Sequence, residues 1–503
     1  MKRRAGVLLH PSALPGPFGV GEIGPAAREL LAWMDGAELR VWQLLPLLPV
    51  DDGGSPYASP SSFAHESLLL SSDDLVRDGW LQGRDKPYAP GRAGPVDWPA
   101  VRRRKGEALV LAADRVREQI DLLRWEHEQP SLGTWALYRA LTEEQRTPWP
   151  AWPDDLRRRD PAALHAARDR LAIPIERELA LQWLFVQQWT ALRAEAASRG
   201  VALWGDVPFF VGWISADVWS RPDLFRLDSA GRPLAVSGVP PDAFSATGQL
   251  WGHPLLDLAA HARERHAWWI ARLRHALGAV DRVRIDHFRG IAQVWEVPAA
   301  AKDAREGQWT PGPGVELLEA VRAAFPAMPF VAEDLGVITP DVEELRDRFG
   351  LPGMAVLQFA FGALGEADPE KGEHAYLPHH HRAAQVVYTG THDNDTALGW
   401  YRAAALDTKH HLRRYLEVED RDLPWALLVA AWRSVCATAV APMQDLLGLG
   451  SEARLNTPGT SSPANWSWRM RPEAMTVVLA ARIAQQVRLS GRACDDDVVE
   501  TSR

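Results

Sequence analysis

The chain has 503 residues, of which 46% are hydrophobic and 24% charged, which is ordinary for a globular protein. Its net charge of −9 is small for this length and argues against nucleic acid or an anionic membrane as a partner. Two distant cysteines, Cys436 and Cys494, provide neither a disulfide framework nor the spacing of metal ligands. No apolar run approaches a signal-peptide core or the roughly 20 residues of a membrane span, so we predict a cytoplasmic protein.

Eight short apolar runs, most of them separated by helical patterns, predict the parallel strands of a (β/α)8 TIM barrel. In chain order these runs cover residues 6–10, 39–45, 203–207, 280–286, 329–333, 355–359, 386–391 and 436–442. Such a barrel, with large insertions, can use the whole chain, and we therefore predict one domain over residues 1–503.

The spacing between the predicted strands is uneven, and the excess marks two insertions. Charged stretches with helical periodicity fill residues 58–200, and a structureless loop of that length would be implausible, so we predict a mainly helical insertion. Residues 207–260 are rich in Pro, Gly, Asp and Trp. This composition predicts an irregular loop insertion beside a functional site.

Three acidic residues, Asp286, Glu333 and Asp393, each stand at or just beyond the end of an apolar run. Such a run is typical of a buried parallel strand whose last residue emerges at the rim of a barrel. Catalytic residues from different strands meet at that rim. One such carboxylate alone would as often be a helix cap or an ion-pair partner. Three in the same context favour a site suited to glycosidic bond chemistry, which uses a pair of carboxylates.

These motifs make the chain resemble the 4-alpha-glucanotransferases called amylomaltases or disproportionating enzymes, which are relatives of the alpha-amylases. The resemblance runs nearly from end to end and includes residues 205–209 and 456–460. Its most specific parts are residues 389–401 and the paired Pro-Pro-Asp and Gly-Gln-Leu-Trp-Gly segments at 240–242 and 248–252. The resemblance implies the barrel fold, and helical and loop insertions of the kind described above.

By this resemblance, Asp286 is the nucleophile, Glu333 the acid/base and Asp393 the stabiliser of the transition state. Arg284 lies two residues from Asp286 on the same strand face and should favour its ionised form. Glu333 must donate a proton and therefore needs a raised pKa. A retaining mechanism further predicts carboxyl groups of Asp286 and Glu333 about 5–6 Å apart.

The resemblance also implies a set of substrate-binding positions on the loops around these carboxylates. They are Ser55, Tyr57, Asp206, Asp242, Phe244, Gln249, Trp251, Arg284, His287, His392 and Asn456. It implies no cofactor and no metal, and neither His392 with its acidic neighbours nor the run at 379–381 has the spacing of a zinc site. Three positions depart from the usual pattern of the family: Ala243 in place of Tyr, Ile214 in place of Asp, and residues 362–363 in place of an acidic residue.

We therefore expect a transferase that moves alpha-1,4-glucan segments between malto-oligosaccharides by a retaining double displacement, in maltodextrin, starch or glycogen metabolism. One alternative is an alpha-amylase-type hydrolase, with the same carboxylates and water as the acceptor. Another is a catalytically silent glucan-binding protein on the same scaffold. The expected partners are malto-oligosaccharides and alpha-1,4-glucans, without nucleic acid or membrane, and the expected state is a monomer or a weak homodimer.

Overall fold

The computed structural model describes residues 3–89, 91, 93–241, 245–361 and 374–493. The strands in this part of the chain are β1 Arg4–Leu8, β2 Val41–Gln43, β3 Ala202–Val207, β4 Ala235–Val239, β5 Gln249–Pro254, β6 Arg282–Ile285, β7 Gln293–Pro298, β8 Gln308–Pro311, β9 Phe330–Ala332, β10 Gly353–Val356, β11 Gln385–Tyr388 and β12 Thr438–Pro442.

The first ten α-helices are α1 Pro25–Gly36, α2 Ser72–Arg77, α3 Trp98–Gln119, α4 Leu122–Glu128, α5 Pro130–Gln145, α6 Asp154–Arg157, α7 Pro161–Arg170, α8 Ala172–Ser198, α9 Ala216–Ser220 and α10 Leu258–Arg263. The next ten are α11 Ala267–Ala279, α12 Arg289–Ala292, α13 Gly314–Ala324, α14 Pro340–Arg348, α15 Leu357–Phe361, α16 Ala397–Ala403, α17 Leu406–Leu416, α18 Leu423–Arg433, α19 Met443–Leu446 and α20 Val477–Leu489. None of the described helices combines the length and apolar character that a membrane crossing requires.

Eight strands form one parallel sheet in the order β10-β11-β12-β1-β2-β3-β6-β9. Its two edges meet where the Ala332 N–H donates to the Pro352 carbonyl at 2.9 Å. The sheet therefore closes into a (β/α)8 TIM barrel, and the predicted fold class is confirmed. Each of the eight predicted runs overlaps one barrel strand, and β1, β3, β10 and β11 begin one or two residues before their runs. The strands are mostly shorter than the runs, and β2 is reduced to three residues, because residues at the ends of a run are buried without continuing the ladder.

The barrel interior is a packed core. Side chains from alternating strand positions fill it, as the closed parallel sheet requires. The buried members of this inner cluster are Leu8, Val41, Leu45, Trp204, Val331, Met354, Val356, Val386, Tyr388, Val440 and Leu455. Outside the barrel, the helices bury the other face of each strand, so that β10, β11 and β12 are buried at every position.

Helices α2 to α8 occupy the long segment between β2 and β3, and a buried ion pair attaches one of them to the barrel. Lys105 of α3 has no exposed side-chain surface and pairs with Glu22, which is also buried. The Lys105 ammonium group also donates to the carbonyls of Leu68 and Leu70, both at 2.7 Å. A buried cation with three acceptors fixes α3 against the loop that follows β1.

A second sheet, antiparallel and four-stranded, has the order β5-β4-β7-β8. Strands β4 and β5 belong to the segment 207–260, so part of that segment is regular, unlike the irregular loop that its composition predicts. The pairing of β4 with β5 shifts register between Val236 and Gly238. A Cβ on Gly238 would lie 2.5 Å from the Gln249 carbonyl oxygen, so only glycine fits. This register shift interrupts the alternation of apolar and polar residues from which a hairpin can be predicted.

Replacing Lys105 by Met should destabilise the protein by roughly 3–5 kcal/mol, because Glu22 would lose its counter-charge in a buried setting. Chemical unfolding at pH 7 measures this loss. The double variant Lys105→Met with Glu22→Leu should recover most of it. Arg348→Met serves as the control, since it breaks an exposed pair with Glu319 and should change stability by less than about 1 kcal/mol. A similar small loss in Lys105→Met would contradict the role of the buried pair.

Candidate active site

Three neighbouring strands bring the central charged residues together at the C-terminal rim of the barrel. Asp206 lies in β3, Arg284 lies in β6 with Asp286 directly after it, and Glu333 follows β9. The Asp286 N–H donates to the Val207 carbonyl and the Glu333 N–H to the Ile285 carbonyl, both at 3.0 Å. These backbone hydrogen bonds continue the sheet pairing by one residue on each strand. They thereby fix the positions of the Asp286 and Glu333 backbones at the rim.

Arg284 is the centre of the charge network. Its Nη1 lies 2.7 Å from Oδ2 of Asp206, and its Nη2 lies 2.9 Å from Oδ1 of Asp286. The arginine side chain is only 6% exposed, so both contacts are made largely out of water. Burial would lower the pKa of Arg284, but Asp206 and Asp286 outweigh it and raise that pKa well above its ordinary value. Asp286 is thus paired with a permanently charged guanidinium group.

Asp206 is the fully buried partner of this pair. The Tyr57 hydroxyl donates to its Oδ2 at 2.7 Å, beside the Arg284 contact. Burial raises the pKa of Asp206 to about 6, although Arg284 opposes the shift. Tyr57 and Arg284 therefore converge on one carboxylate oxygen, and this joins the loop that carries Tyr57 to the barrel wall.

Glu333 has the environment of a proton donor. Its Oε2 accepts from the His287 N–H at 2.7 Å, and its Oε1 accepts from the Leu335 N–H at 3.3 Å. Burial raises the pKa of Glu333 well above its ordinary value, and the negative charge of Asp286 adds to the shift, while Arg284 acts against it. The raised pKa favours the protonated carboxyl at neutral pH, as the reaction requires of an acid.

The residue after Glu333 closes the barrel at this point. Asp334 accepts from the Met354 N–H at 2.7 Å and pairs with the buried Arg346. Because Met354 is in β10 and Arg346 in α14, one carboxylate ties the end of β9 to both. The contact between Asp334 and β10, where the two edges of the sheet meet, therefore lies next to the candidate acid/base Glu333.

Asp393 stands on the loop after β11 and is the most exposed of the three acids. Its side chain is 42% exposed, against 27% for that of Asp286. Asn456 Nδ2 donates to Asp393 Oδ1 at 2.6 Å, and His392 Nε2 lies 3.4 Å from Oδ2. Arg454 Nη2 donates to the Asp393 carbonyl at 2.6 Å. The Asp393 carboxylate is thus oriented from two sides and remains partly exposed.

Aromatic rings lie beside the charged residues of the site. The Tyr57 ring stacks on His392 with centroids 5.0 Å apart, and Trp466 is tilted against both rings at 5.7 and 5.9 Å. On the other side, Trp251 meets His287 edge-on at 4.8 Å. Burial lowers the pKa of His287 to about 4, so its ring is neutral at neutral pH.

Most of the predicted site residues belong to one of two groups of contacting side chains, one around Arg284 and Tyr57 and the other around Trp251 and His287. Tyr57, Asp206, Arg284, Asp286, His392, Asp393 and Asn456 form one chain of contacts. Gln249 accepts from Trp251 Nε1 at 3.2 Å and so joins the second group. Ser55 accepts from the Tyr57 N–H through its hydroxyl, at 3.3 Å. Asp242 and Phe244 lie outside the described residues, as do Ala243 and residues 362–363, whereas Ile214 is described and 38% exposed.

Sequence reasoning missed three residues of the site. They are Trp466, Arg454 and Phe210. Phe210 lies 6.1 Å from both Trp251 and His287, ring to ring. No short-range pattern marks these residues, because each reaches the site from a different part of the chain.

In the run at 379–381, both ring nitrogens of His381 have a protein partner. His381 Nδ1 lies 2.7 Å from the Ser434 hydroxyl, and its Nε2 lies 2.8 Å from the Tyr376 carbonyl. In the described ranges, no group of three or more His, Cys, Asp or Glu side chains is placed to hold a metal ion.

Comparison with known proteins gives one consistent result. A family model described as 4-alpha-glucanotransferase matches residues 9–476. The chain is 44% identical over 506 residues to a 4-alpha-glucanotransferase of Thermus thermophilus, which covers 98% of this chain and 99% of that protein. A chloroplastic/amyloplastic 4-alpha-glucanotransferase of Arabidopsis thaliana is also 44% identical, over 93% of this chain and 82% of its own length. The solved amylomaltase of Streptococcus agalactiae in complex with acarbose matches with a TM-score of 0.93 and 31% identity, over 98% of this chain and 100% of its own.

The raised pKa of Glu333 has a consequence for stability. A carboxyl whose pKa is raised by folding stabilises the folded state below its unfolded pKa of about 4.3, and this contribution is lost as the pH rises through the folded pKa. Glu333→Gln should therefore raise the Tm by roughly 1–3 °C at pH 8 and change it little at pH 4. Thermal unfolding at both pH values tests this, with the exposed Glu118→Gln as the control. A lower Tm for Glu333→Gln at pH 8 would contradict the assigned environment.

Proposed function

The chain belongs to the 4-alpha-glucanotransferase family and is a glycosyl-transferring enzyme, and from this premise we propose how its site performs the transfer. The observation that carries the proposal is the buried Arg284, which lies between Asp206 and Asp286 at 2.7 and 2.9 Å. The contact with Arg284 supports Asp286 as the nucleophile. The raised pKa of Glu333, on the adjacent strand, supports that residue as the acid/base.

In the first half of the reaction, an Asp286 oxygen attacks the anomeric carbon of the donor glucan. The bond from that carbon to the glycosidic oxygen breaks, and this oxygen takes the proton of Glu333 and leaves with the released glucan. Asp286 then carries a glucosyl chain through an ester bond. Asp393, oriented by Asn456, stabilises the positive charge that develops at the anomeric carbon.

In the second half, the ionised Glu333 takes the proton from the 4-hydroxyl group of an acceptor glucan. The acceptor oxygen attacks the anomeric carbon, and Asp286 leaves as a carboxylate. Two displacements at one carbon retain its configuration. The number of glycosidic bonds is unchanged, so no reducing ends form during transfer.

The substrates that we propose are malto-oligosaccharides and alpha-1,4-glucans, bound along a groove between the two aromatic groups. Gln249, Trp251 and His287 form one side of it, and Ser55, Tyr57, Arg284, His392 and Asn456 form the other, with Asp206 behind Arg284. Sugar rings pack well on aromatic faces, and both sides provide them. The cytoplasmic location and the monomeric or weakly dimeric state stay predictions.

The experiment that tests the function is a digest of maltotriose followed over time by thin-layer chromatography. A transferase gives glucose together with products longer and shorter than the substrate. An alpha-amylase-type hydrolase gives only shorter products. A silent glucan-binding protein leaves the substrate unchanged.

Asp286→Asn and Glu333→Gln should each lower the rate of maltotriose turnover by about 10²–10⁴-fold or more, because one removes the nucleophile and the other the acid/base. Initial rates measure the effect, and circular dichroism checks that the fold is intact. Asp407→Asn, at an exposed carboxylate on α17, is the matched control and should keep its activity. If either site variant kept more than a few per cent of the wild-type rate, its assigned role would be wrong.

A further inference from the structure

Two loops that border the active site meet on the first residue of helix α3, which lies in the helical segment and not in the barrel. Trp98 is buried, with 4% of its surface exposed. Its indole Nε1 donates to the Trp466 carbonyl at 3.2 Å. Two residues earlier, the Val96 N–H donates to the Ser467 carbonyl at 2.7 Å. The start of α3 therefore holds the backbone of the loop that carries Trp466.

The same indole packs against the turn that leads to Ser55 and Tyr57. Gly54 has a φ of +88°, and a Cβ at this position would lie 1.9 Å from Trp98 Nε1. Glycine is therefore required here for its conformation and for the close approach of the indole. One turn further along α3, Arg102 donates to the carbonyls of Val50 at 3.0 Å and Asp51 at 2.6 Å.

The two loops that α3 holds carry rings that contact each other in the site. Tyr57 stacks on His392, and the Trp466 ring is tilted against both. Trp466 has a φ of +59°, which is rare for a bulky residue and persists only where the surroundings enforce it. The Trp466 N–H is tied to the Leu455 carbonyl at 2.7 Å, and its own carbonyl to Trp98.

We propose that Trp98, supported by Arg102, is a positioning residue for the side of the active site that Tyr57, His392 and Trp466 form. Through the Gly54 turn and the Trp466 backbone it sets the spacing between the two loops, and hence the packing of Tyr57, His392 and Trp466. It touches none of the three carboxylates. The inference rests on the proposed function, in that Tyr57 and His392 are taken to line the glucan groove.

The loss of the Trp98 contacts should weaken substrate binding and let water into the active site. Trp98→Phe keeps an aromatic ring at this position but removes the indole donor and part of the buried ring. The loss of one hydrogen bond to a carbonyl alone corresponds to about a five-fold change in an equilibrium. We expect a rise of that size in KM for maltotriose with a smaller change in kcat. The covalent intermediate should also be hydrolysed more often, because a less ordered ring cluster excludes water less well.

The test compares Trp98→Phe with Trp219→Phe in the full-length protein. Trp219 is fully buried, and its Nε1 donates to the Leu156 carbonyl at 3.0 Å, so Trp219→Phe loses the same kind of bond away from the site. Each variant is assayed for KM, for kcat, for Tm and for the rate at which reducing ends form. Reducing ends measure hydrolysis alone, since transfer conserves their number.

The expected result is a raised KM and faster formation of reducing ends in Trp98→Phe, with both unchanged in Trp219→Phe at a comparable loss of Tm. Arg102→Ala provides a second test. Because Arg102 is part-exposed, at 32%, we expect this variant to fold, and its KM should rise about two-fold or more. Equal KM and equal hydrolysis in the two Trp variants, or an unchanged KM in Arg102→Ala, would overturn the proposal. A failure of the assigned carboxylate roles would be seen separately, as activity in Asp286→Asn or Glu333→Gln.

Discussion

A buried guanidinium between two carboxylates is the constraint on which the site depends. Arg284 is 6% exposed, and without close anionic partners its charge would be costly to bury. Asp206 and Asp286 supply those partners, and each is fixed by a strand of the barrel. Tyr57 donates to the same oxygen of Asp206 that meets Arg284. The strands β3 and β6 and the loop that carries Tyr57 are thus held in one arrangement by a single cation.

The three acids stand on one rim but in different environments, and these differences support different roles. Glu333 is desolvated and lies near the negative charge of Asp286, so its pKa is raised. Asp286 is paired with Arg284, and Asp393 is the most exposed of the three. A desolvated carboxyl group that keeps its proton suits the role of an acid, and a carboxylate paired with a cation suits that of a nucleophile. The tie of Asp334 to β10 and α14 keeps Glu333 in place where the barrel closes.

The sequence was sufficient for the features that depend on local patterns. Short apolar runs predicted the eight barrel strands, and the acids at or just beyond the ends of three of these runs lie on the rim. The hairpin of β4 and β5 was not predicted, because Gly238 and the register shift interrupt its alternation. Trp466, Arg454 and Phe210 were missed because their contacts join segments that are far apart in the chain. The hydrogen bond from the Trp98 indole to the Trp466 carbonyl joins residues 368 positions apart and is visible only in three dimensions.

The central claim is that a glucosyl chain is held on Asp286 between two displacements. A fluorinated maltosyl fluoride, which reacts in the first displacement and slows the second, would trap this intermediate. Proteolysis and mass spectrometry of the trapped protein then locate the added sugar. We predict a label on the peptide that contains Asp286, and no label in the Asp286→Asn variant. A label on Glu333 or Asp393, or an unlabelled protein that still consumes the reagent, would contradict it.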